Sequence, residues 1–187
     1  MSEDAHPDSD AALAHATLAG DQRAFATLMQ RHRDAVFRLL RAQTGNADTA
    51  LDLTQDCFIA AYSALAHYDR ERPFRAWVMR IALNKCRDWA RRRAVRRFFT
   101  FAAPLDDAMP VADDAASPEQ ATSDRLEAAR VMQAIATLPN TLKEPLTLYA
   151  IEGMSQSEVA VLLGISEKAV ETRIYRARTK LTEYLNR

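Results

Sequence analysis

The sequence has few residues that break regular structure: only 4 of its 187 residues are glycine and only 7 are proline. Apolar residues make up 48% of the chain, and many of them recur at spacings of three and four. This spacing gives a helix one apolar face, whereas a half-buried strand requires alternation. The sequence therefore predicts an all-α protein whose length allows one or two packed domains.

Cysteine and histidine are scarce. The two cysteines, Cys57 and Cys86, lie inside helical patterns without C-x-x-C spacing, which predicts buried free thiols rather than a disulfide or metal site. The four histidines are scattered, and we expect His32 and His67 to lie at the surface or at an edge. No metal-spaced cluster or nucleophile motif is visible. The sequence therefore predicts no enzyme activity and requires no cofactor.

Long apolar runs are missing as well, and none approaches the ~20 residues that a membrane span requires. The first ten residues, MSEDAHPDSD, are acidic and contain no apolar core. They predict a disordered tail rather than a signal peptide. We therefore expect a cytoplasmic protein that does not insert into membranes.

The chain has no net charge, with 25 basic and 25 acidic residues, but the charges are unevenly distributed. Between Arg70 and Arg97 there are ten arginines and one lysine but only two acids. Such a segment indicates a surface that binds a polyanion. Trp77 and Trp89 are interleaved with these bases, which suits stacking on unpaired bases. A core role is favoured for Trp89, and both roles stay open for Trp77.

The first 97 residues predict one helical domain, from residue 10 to residue 97. Gly20 and Asp21 divide its first helical stretch, and Asp21 is expected to cap the second helix. A further helix is predicted from Asp48 to Leu65. One face of this helix carries both acidic and apolar residues. It is equally consistent with a solvated surface and with a surface that docks another protein. The basic helix follows a loop at residues 66–72 and runs from Pro73 to about Arg97.

A linker at residues 98–117 separates this domain from a second, at residues 118–187. The linker has four acids, no bases and two prolines, which predicts a flexible acidic tether. Ser117 and Pro118 predict a helix start, and that helix should end near Leu138. Thr141 and Glu144 stand in capping-box order for the next helix.

The stretch from Ser155 to Arg178 predicts two helices joined by a tight turn. Ser155 and Glu158 form a second capping-box pattern, Gly164 suits the positive φ that ends a helix, and Ser166 can cap the next one. Polar side chains then face outward from the second helix, as in helices that enter the DNA major groove. A hairpin with a solvated charged face is the alternative. With a final turn at residues 181–185, this completes a four-helix domain containing a helix-turn-helix.

The chain resembles bacterial RNA polymerase sigma factors of the extracytoplasmic-function (ECF) group. The first domain matches the family's second conserved region through Asp52–Phe58, Pro73–Trp77 and Arg80–Asn84. The second domain matches the fourth region through the segments 138–139, 158–160, 163–166, 170–173 and 176–178. Each fragment is weak alone, but their shared order over most of the chain is highly specific.

The resemblance implies a transcription initiation factor that directs core RNA polymerase to promoters. It implies that the clamp helices of the polymerase β′ subunit bind Asp52, Leu53, Gln55, Asp56 and Phe58. It implies that the promoter −10 element binds Trp77, Arg80, Asn84 and Arg87. It implies that the −35 element binds Lys168, Glu171, Thr172, Arg173 and Arg176. Glu171 stands where many relatives have a basic residue. The −35 sequence that this chain would bind therefore stays open. An anti-sigma factor is expected to hold the protein inactive.

Two other functions remain open at this point. A decoy that only titrates an anti-sigma factor would not need the basic helix. A simple helix-turn-helix repressor would leave the first domain without a role. Binding to core polymerase, and salt-sensitive binding of promoter DNA by that complex, separates these possibilities.

Overall fold

The computed structural model describes residues 9–101 and 123–186. These residues form α-helices and no strand, so the predicted all-α class is confirmed. The eight α-helices, with a short 3-10 turn at Leu65–His67, are α1 (Asp10–Leu18), α2 (Gln22–Thr44), α3 (Ala47–Ala64), α4 (Phe74–Phe101), α5 (Ser123–Thr137), α6 (Asn140–Ala150), α7 (Gln156–Leu163) and α8 (Glu167–Leu185).

Helix α2 is the centre of the first domain, which comprises α1–α4. It packs against α1, α3 and α4, and its apolar stripe is completely buried. Burying a leucine or phenylalanine side chain contributes about 1.5–3 kcal/mol, so these contacts dominate the stability of the domain. The largest fully buried side chains of this core are Leu28, Val36, Leu39, Leu40, Leu65, Phe74, Val78, Met79 and Leu83.

Local caps set the helix boundaries in the first domain. The Asp21 carboxylate accepts hydrogen bonds from the backbone N–H groups of Arg23 and Ala24, as predicted. Gly45 ends α2 at a φ of 75°, and Asn46 caps α3. Ser9 caps α1 in the same way. The predicted disorder of residues 1–10 is therefore wrong for its last two residues, and residues 1–8 lie outside the described part.

His32 is buried, which contradicts its predicted surface position. Its Nε2 atom lies 2.7 Å from Oδ2 of Asp10, so this contact holds α1 against α2. The same hydrogen bond lowers the pKa of the Asp10 carboxyl. His67 is exposed as predicted.

Both cysteines are buried and free, as predicted. Burial raises the pKa of the Cys57 thiol to about 12 and that of Cys86 to about 11. A thiol whose pKa is this high stays protonated near neutral pH, and the protonated form is the unreactive one.

Helix α4 extends to Phe101, so the first four residues of the predicted linker are helical. The segment from Arg91 to Phe101 contains no glycine or proline that would end a helix. The remaining linker residues and the helix start predicted at Ser117 and Pro118 lie outside the described residues.

The second domain, α5–α8, contains the predicted helix-turn-helix. Ser155 and Glu158 form the predicted capping box, Gly164 has a φ of 67°, and Ser166 caps α8. The capping box predicted at Thr141 and Glu144 is wrong: Pro139 stands before α6 without a side-chain cap, and the Glu144 carboxylate lies against Arg87 instead. The predicted final turn is the last turn of α8.

The two domains pack against each other. Helix α2 contacts α5 and α6, and α4 contacts α7. At the closest approach, a Cβ atom added to Gly45 would lie 2.8 Å from Cβ of Ala136. A side chain at this position is therefore excluded both by the positive φ and by the neighbouring domain. Within the described ranges, no helix is both long enough and apolar enough to cross a membrane.

Gly45 provides a test of this packing, with Gly164 as its matched control. Both glycines end a helix at a positive φ, but nothing lies within 4 Å of a Cβ atom at Gly164. Gly164→Ala should cost about 1–2 kcal/mol through backbone strain. Gly45→Ala should cost about 1–3 kcal/mol more, because its methyl group also collides with Ala136. Urea unfolding of both variants measures the difference, and equal losses would contradict the described approach of α2 to α5.

Candidate functional site

Helix α3 presents the predicted acidic face to solvent. Asp52, Gln55 and Asp56 are exposed, and Ile59 is 66% exposed beside them. Leu53 and Phe58 were predicted to belong to the same binding surface, but both are buried. Leu53 belongs to the core of the first domain. Of the five residues predicted to bind polymerase, only the three polar ones are therefore exposed.

An apolar groove lies between α2 and α3, and Phe58 is one of its lining residues. The groove has a volume of about 570 Å³, and Phe58 lines it together with more exposed apolar side chains. Phe25 and Tyr62 meet edge to face across it, with their ring centroids 5.0 Å apart. The residues that line this docking groove are Phe25, Met29, Arg33, Leu51, Thr54, Gln55, Phe58, Ile59, Tyr62 and Ser63. An apolar groove beside exposed carboxylates suits a partner helix with apolar and basic side chains.

The four residues predicted for −10 binding follow one side of α4. Their spacing of three and four residues places Arg80, Asn84 and Arg87 in an exposed row. Trp77 lies one turn earlier and is only half-buried. It packs against Tyr68 and Phe74, with ring centroids 5.1 and 5.3 Å away. The structure therefore brings these four residues together as one surface, the α4 face.

The α4 face contacts the second domain. The Arg87 guanidinium donates hydrogen bonds to both carboxylate oxygens of Glu144, over 2.7 and 2.5 Å. These bonds raise the pKa of the Arg87 side chain. Arg80 donates to the backbone carbonyl of Val161 over 3.2 Å. A polar cleft of about 370 Å³ lies between the α4 face and the end of α7.

A second carboxylate of the second domain is also paired across the domain contact. The Glu152 side chain is completely buried, and its Oε2 atom accepts from Arg75 over 3.0 Å and from Arg38 over 3.3 Å. Arg75 also donates to the Glu152 carbonyl over 2.6 Å. The Oε1 atom of Glu152 has no hydrogen-bond partner within the described ranges.

One neutral hydrogen bond and one cation add to this contact. The Gln43 amide donates to the hydroxyl of Thr147 over 2.8 Å. The Lys143 ammonium donates to the Gln43 carbonyl over 2.7 Å and to the Ala136 carbonyl over 3.0 Å. Burial lowers the pKa of Lys143. Directional polar contacts thus add to the apolar packing between the second domain and the first.

The predicted −35 residues lie on α8, whose inner face is fixed by buried Val170 and Ile174. Lys168, Glu171 and Arg176 are exposed, whereas Thr172 and Arg173 are partly buried. The Lys168 ammonium donates to the Glu171 carboxylate over 2.8 Å. Glu171 is therefore paired with a base on its own helix, but the pair is solvent-exposed, so it offsets the repulsion of a nearby phosphate only weakly. These five residues form the reading face.

Sequence reasoning did not find the contacts between the domains. Glu144 was assigned to a helix cap, and Arg38 and Gln43 received no role. No local pattern reveals such pairs, because their members are separated by 57 to 114 residues. The only available signal was an excess of arginines in the first domain together with isolated carboxylates in the second. Across the described ranges, no group of three or more histidine, cysteine or acidic residues could hold a metal ion.

Comparisons with known proteins agree with this organisation. A family model described as Sigma-70 region 2 matches residues 28–96. A second model, described as Sigma-70, region 4, matches residues 128–181. The first match covers α3 and most of α2 and α4, and the second contains the helix-turn-helix.

Relatives match over nearly the whole chain. The RNA polymerase sigma factor CnrH of Cupriavidus metallidurans is 46% identical over 183 residues, which cover 96% of this chain and 95% of that protein. The ECF RNA polymerase sigma factor SigM of Mycobacterium tuberculosis is 32% identical over 180 residues, covering 96% of this chain and 86% of SigM. The solved structure of CnrH in complex with the cytosolic domain of CnrY matches with a TM-score of 0.69 and 39% identity, over 95% of this chain and 97% of that chain.

Both family regions stand in the expected order, and relatives above 30% identity span the chain. Sigma factors are transcription initiation factors rather than enzymes, and they direct RNA polymerase to promoters. The chain belongs to the sigma-70 family of bacterial RNA polymerase sigma factors, in its extracytoplasmic-function group.

Proposed function

We propose that this sigma factor binds core polymerase through the docking groove and binds promoter DNA through two separate surfaces. The α4 face would bind the −10 element and the reading face would bind the −35 element. The observation that carries this proposal is the separation of the three surfaces on the described residues. The groove lies between α2 and α3, the α4 face lies on another helix, and the reading face lies on the other domain.

The docking groove would receive a helix of the polymerase β′ clamp. Its apolar floor supports burial of a hydrophobic ridge, and the exposed Asp52 and Asp56 support pairing with basic side chains beside that ridge. Ile59 is the most exposed apolar side chain of the groove and would be covered on binding.

At the α4 face, the arginines would bind backbone phosphates and Trp77 would support an unstacked base. Unstacking a base costs a few kcal/mol, and stacking on an aromatic side chain offsets about 1–3 kcal/mol of it. The contacts of Trp77 with Tyr68 and Phe74 hold its ring in place before DNA arrives. This fixed ring supports capture of a base without a further ordering cost.

At the reading face, Arg176 and Lys168 would enter the major groove. The buried contacts of α7 and α8 fix the angle at which α8 projects. Glu171 can accept a hydrogen bond from the amino group of cytosine or hold Lys168 for a base contact. The base preferred at this promoter position therefore depends on whether Glu171 binds the base or Lys168.

An anti-sigma factor would hold this protein inactive in the bacterial cytoplasm. The support is the matching structure, in which CnrH is bound to the cytosolic domain of CnrY. The docking groove is the surface that such an inhibitor would compete for, because blocking it prevents polymerase binding.

Charge reversal at the groove tests the docking assignment. Asp56→Arg should weaken binding to core polymerase roughly tenfold or more, because it places a positive charge beside a basic partner surface. Asp34→Arg is the matched control, since Asp34 is equally exposed but lies on α2 and is not one of the predicted polymerase-binding residues. Titration of labelled protein with core polymerase measures both affinities, and circular dichroism checks that both variants fold. Equal affinities for the two variants would refute the assignment.

Removal of one arginine tests the reading face. Arg176→Ala should reduce initiation at a −35-dependent promoter by roughly 5- to 150-fold, the loss of one base contact worth about 1–3 kcal/mol. The control is Arg178→Ala, which removes the same charge from the same helix. Arg178 instead lies over the Tyr149 ring, 5.8 Å from its centroid. In vitro transcription by the reconstituted holoenzyme measures both, and unchanged output from Arg176→Ala would rule out its role.

A further inference from the structure

The C-terminal part of α4, residues 91–101, extends beyond the packed part of the first domain, and we call it the α4 tail. Among the side chains that the structure describes, Trp89 is the last apolar one of this helix that packs against the core. In the tail, Val95, Phe98 and Phe99 are 50%, 72% and 67% exposed. Exposed apolar side chains that lie close together mark a surface that another body covers.

The α4 tail is also strongly basic. It contains five arginines and no acid. Arg92, Arg93 and Arg96 are exposed to solvent. Arg91 donates to Asp88, which precedes the tail, over 3.0 Å. The excess of positive charge attracts an anionic surface to the same place at which the apolar side chains are exposed.

The aromatic and the basic side chains lie on different sides of the tail. Helical spacing places Val95, Phe98 and Phe99 along one side, and the two phenylalanine rings meet edge to face with their centroids 5.8 Å apart. The same spacing directs Arg93 and Arg96 to the other side. The tail is therefore a short amphipathic helix with an aromatic side and an arginine side.

This division into two sides suits the surface of a lipid bilayer. A basic amphipathic helix lies in the plane of the membrane interface with its aromatic side against the acyl chains. Its arginine side chains are long enough to reach the headgroup phosphates from the flanks. A single strand of DNA instead stacks its bases on aromatic rings while its phosphates bind cations beside those rings. Separation of the rings from the arginines therefore favours lipid over a DNA strand.

We propose that the α4 tail is a peripheral docking surface for an anionic lipid bilayer. Val95, Phe98 and Phe99 would enter the boundary between headgroups and acyl chains, and the arginines would pair with lipid phosphates. Charge complementarity selects an anionic bilayer, because a zwitterionic surface offers no net charge to a basic helix. The inference does not rest on the proposed promoter contacts, since none of the residues assigned to the −10 element lies in the tail.

The size of the tail makes this docking reversible. Each arginine near an anionic surface strengthens binding about fivefold. Each phenylalanine that is fully buried strengthens it by a further factor of roughly 10 to 150. The arginine contribution is screened as salt rises, so binding should weaken with ionic strength. Docking would hold part of the protein at a membrane surface and away from polymerase.

The test uses the full chain and vesicles of defined composition. One preparation is phosphatidylcholine alone, and the other contains about one third phosphatidylglycerol, which is anionic. The variant is Phe98→Ser with Phe99→Ser. The control is Leu18→Ser with Tyr184→Ser, which removes two side chains that are 51% and 46% exposed outside α4 and leaves the net charge unchanged. Co-sedimentation at low salt measures vesicle binding, and circular dichroism checks that both variants fold.

The wild type and the control should bind the anionic vesicles about tenfold or more tightly than the phosphatidylcholine vesicles. The phenylalanine variant should bind the anionic vesicles about tenfold or more weakly than the control, because it loses the apolar insertion. A polarity-sensitive dye at Phe99→Cys should brighten on binding, whereas the same dye at Leu18→Cys should not. This difference separates insertion from adsorption through charge alone.

Three outcomes would overturn the inference. The first is no binding of the wild type to the anionic vesicles at low salt. The second is equal binding by the phenylalanine variant and its control, since the rings then do not enter the bilayer. The third comes from fluorescence anisotropy with a single-stranded oligodeoxythymidine. If the phenylalanine variant loses binding to this strand but keeps its binding to vesicles, the tail is a DNA surface instead.

Discussion

The pairing of buried carboxylates with half-exposed arginines is the interaction on which the described arrangement depends. Glu144 and Glu152 bring two negative charges to a first domain whose α4 is strongly basic. Removing a charge from water is costly unless a partner replaces the lost hydration, so these acids stay buried only while their arginines remain beside them. The same arginine charge is what a DNA phosphate would need. Of the residues predicted to bind the −10 element, Arg80 and Arg87 donate hydrogen bonds in the contact between the domains.

One apolar cluster includes buried residues of both domains, and the contact between the domains adds charged pairs to it. Each domain depends on apolar burial, which is large and does not depend on salt. The contact between the domains includes charged pairs and side-chain hydrogen bonds, such as that from Gln43 to Thr147. Each net hydrogen bond contributes only about 0.5–1.5 kcal/mol.

Local chemistry in the sequence was enough to predict the helices and the helix-turn-helix. The caps at Asp21, Ser155 and Ser166 and the glycine at 164 act within four residues, so their patterns are visible in the chain. The burial of Phe58 in the groove lining was not predicted, because spacing in the sequence does not distinguish a residue inside a groove from one beside it. The burial of His32 was also missed, since its partner Asp10 lies 22 residues away on another helix. Contacts between the domains could not be predicted either, because their partners are also far apart in the sequence.

The most direct measurement is the distance between the domains in the free chain and in the promoter complex. Dyes at Asp34→Cys and Glu183→Cys would report it by energy transfer. The native thiols are buried with pKa values raised to about 12 and about 11, so they would label slowly. We expect high transfer in the free protein and a marked loss of transfer when core polymerase and promoter DNA are both bound. Equal transfer in the free protein and in the complex would contradict this expectation.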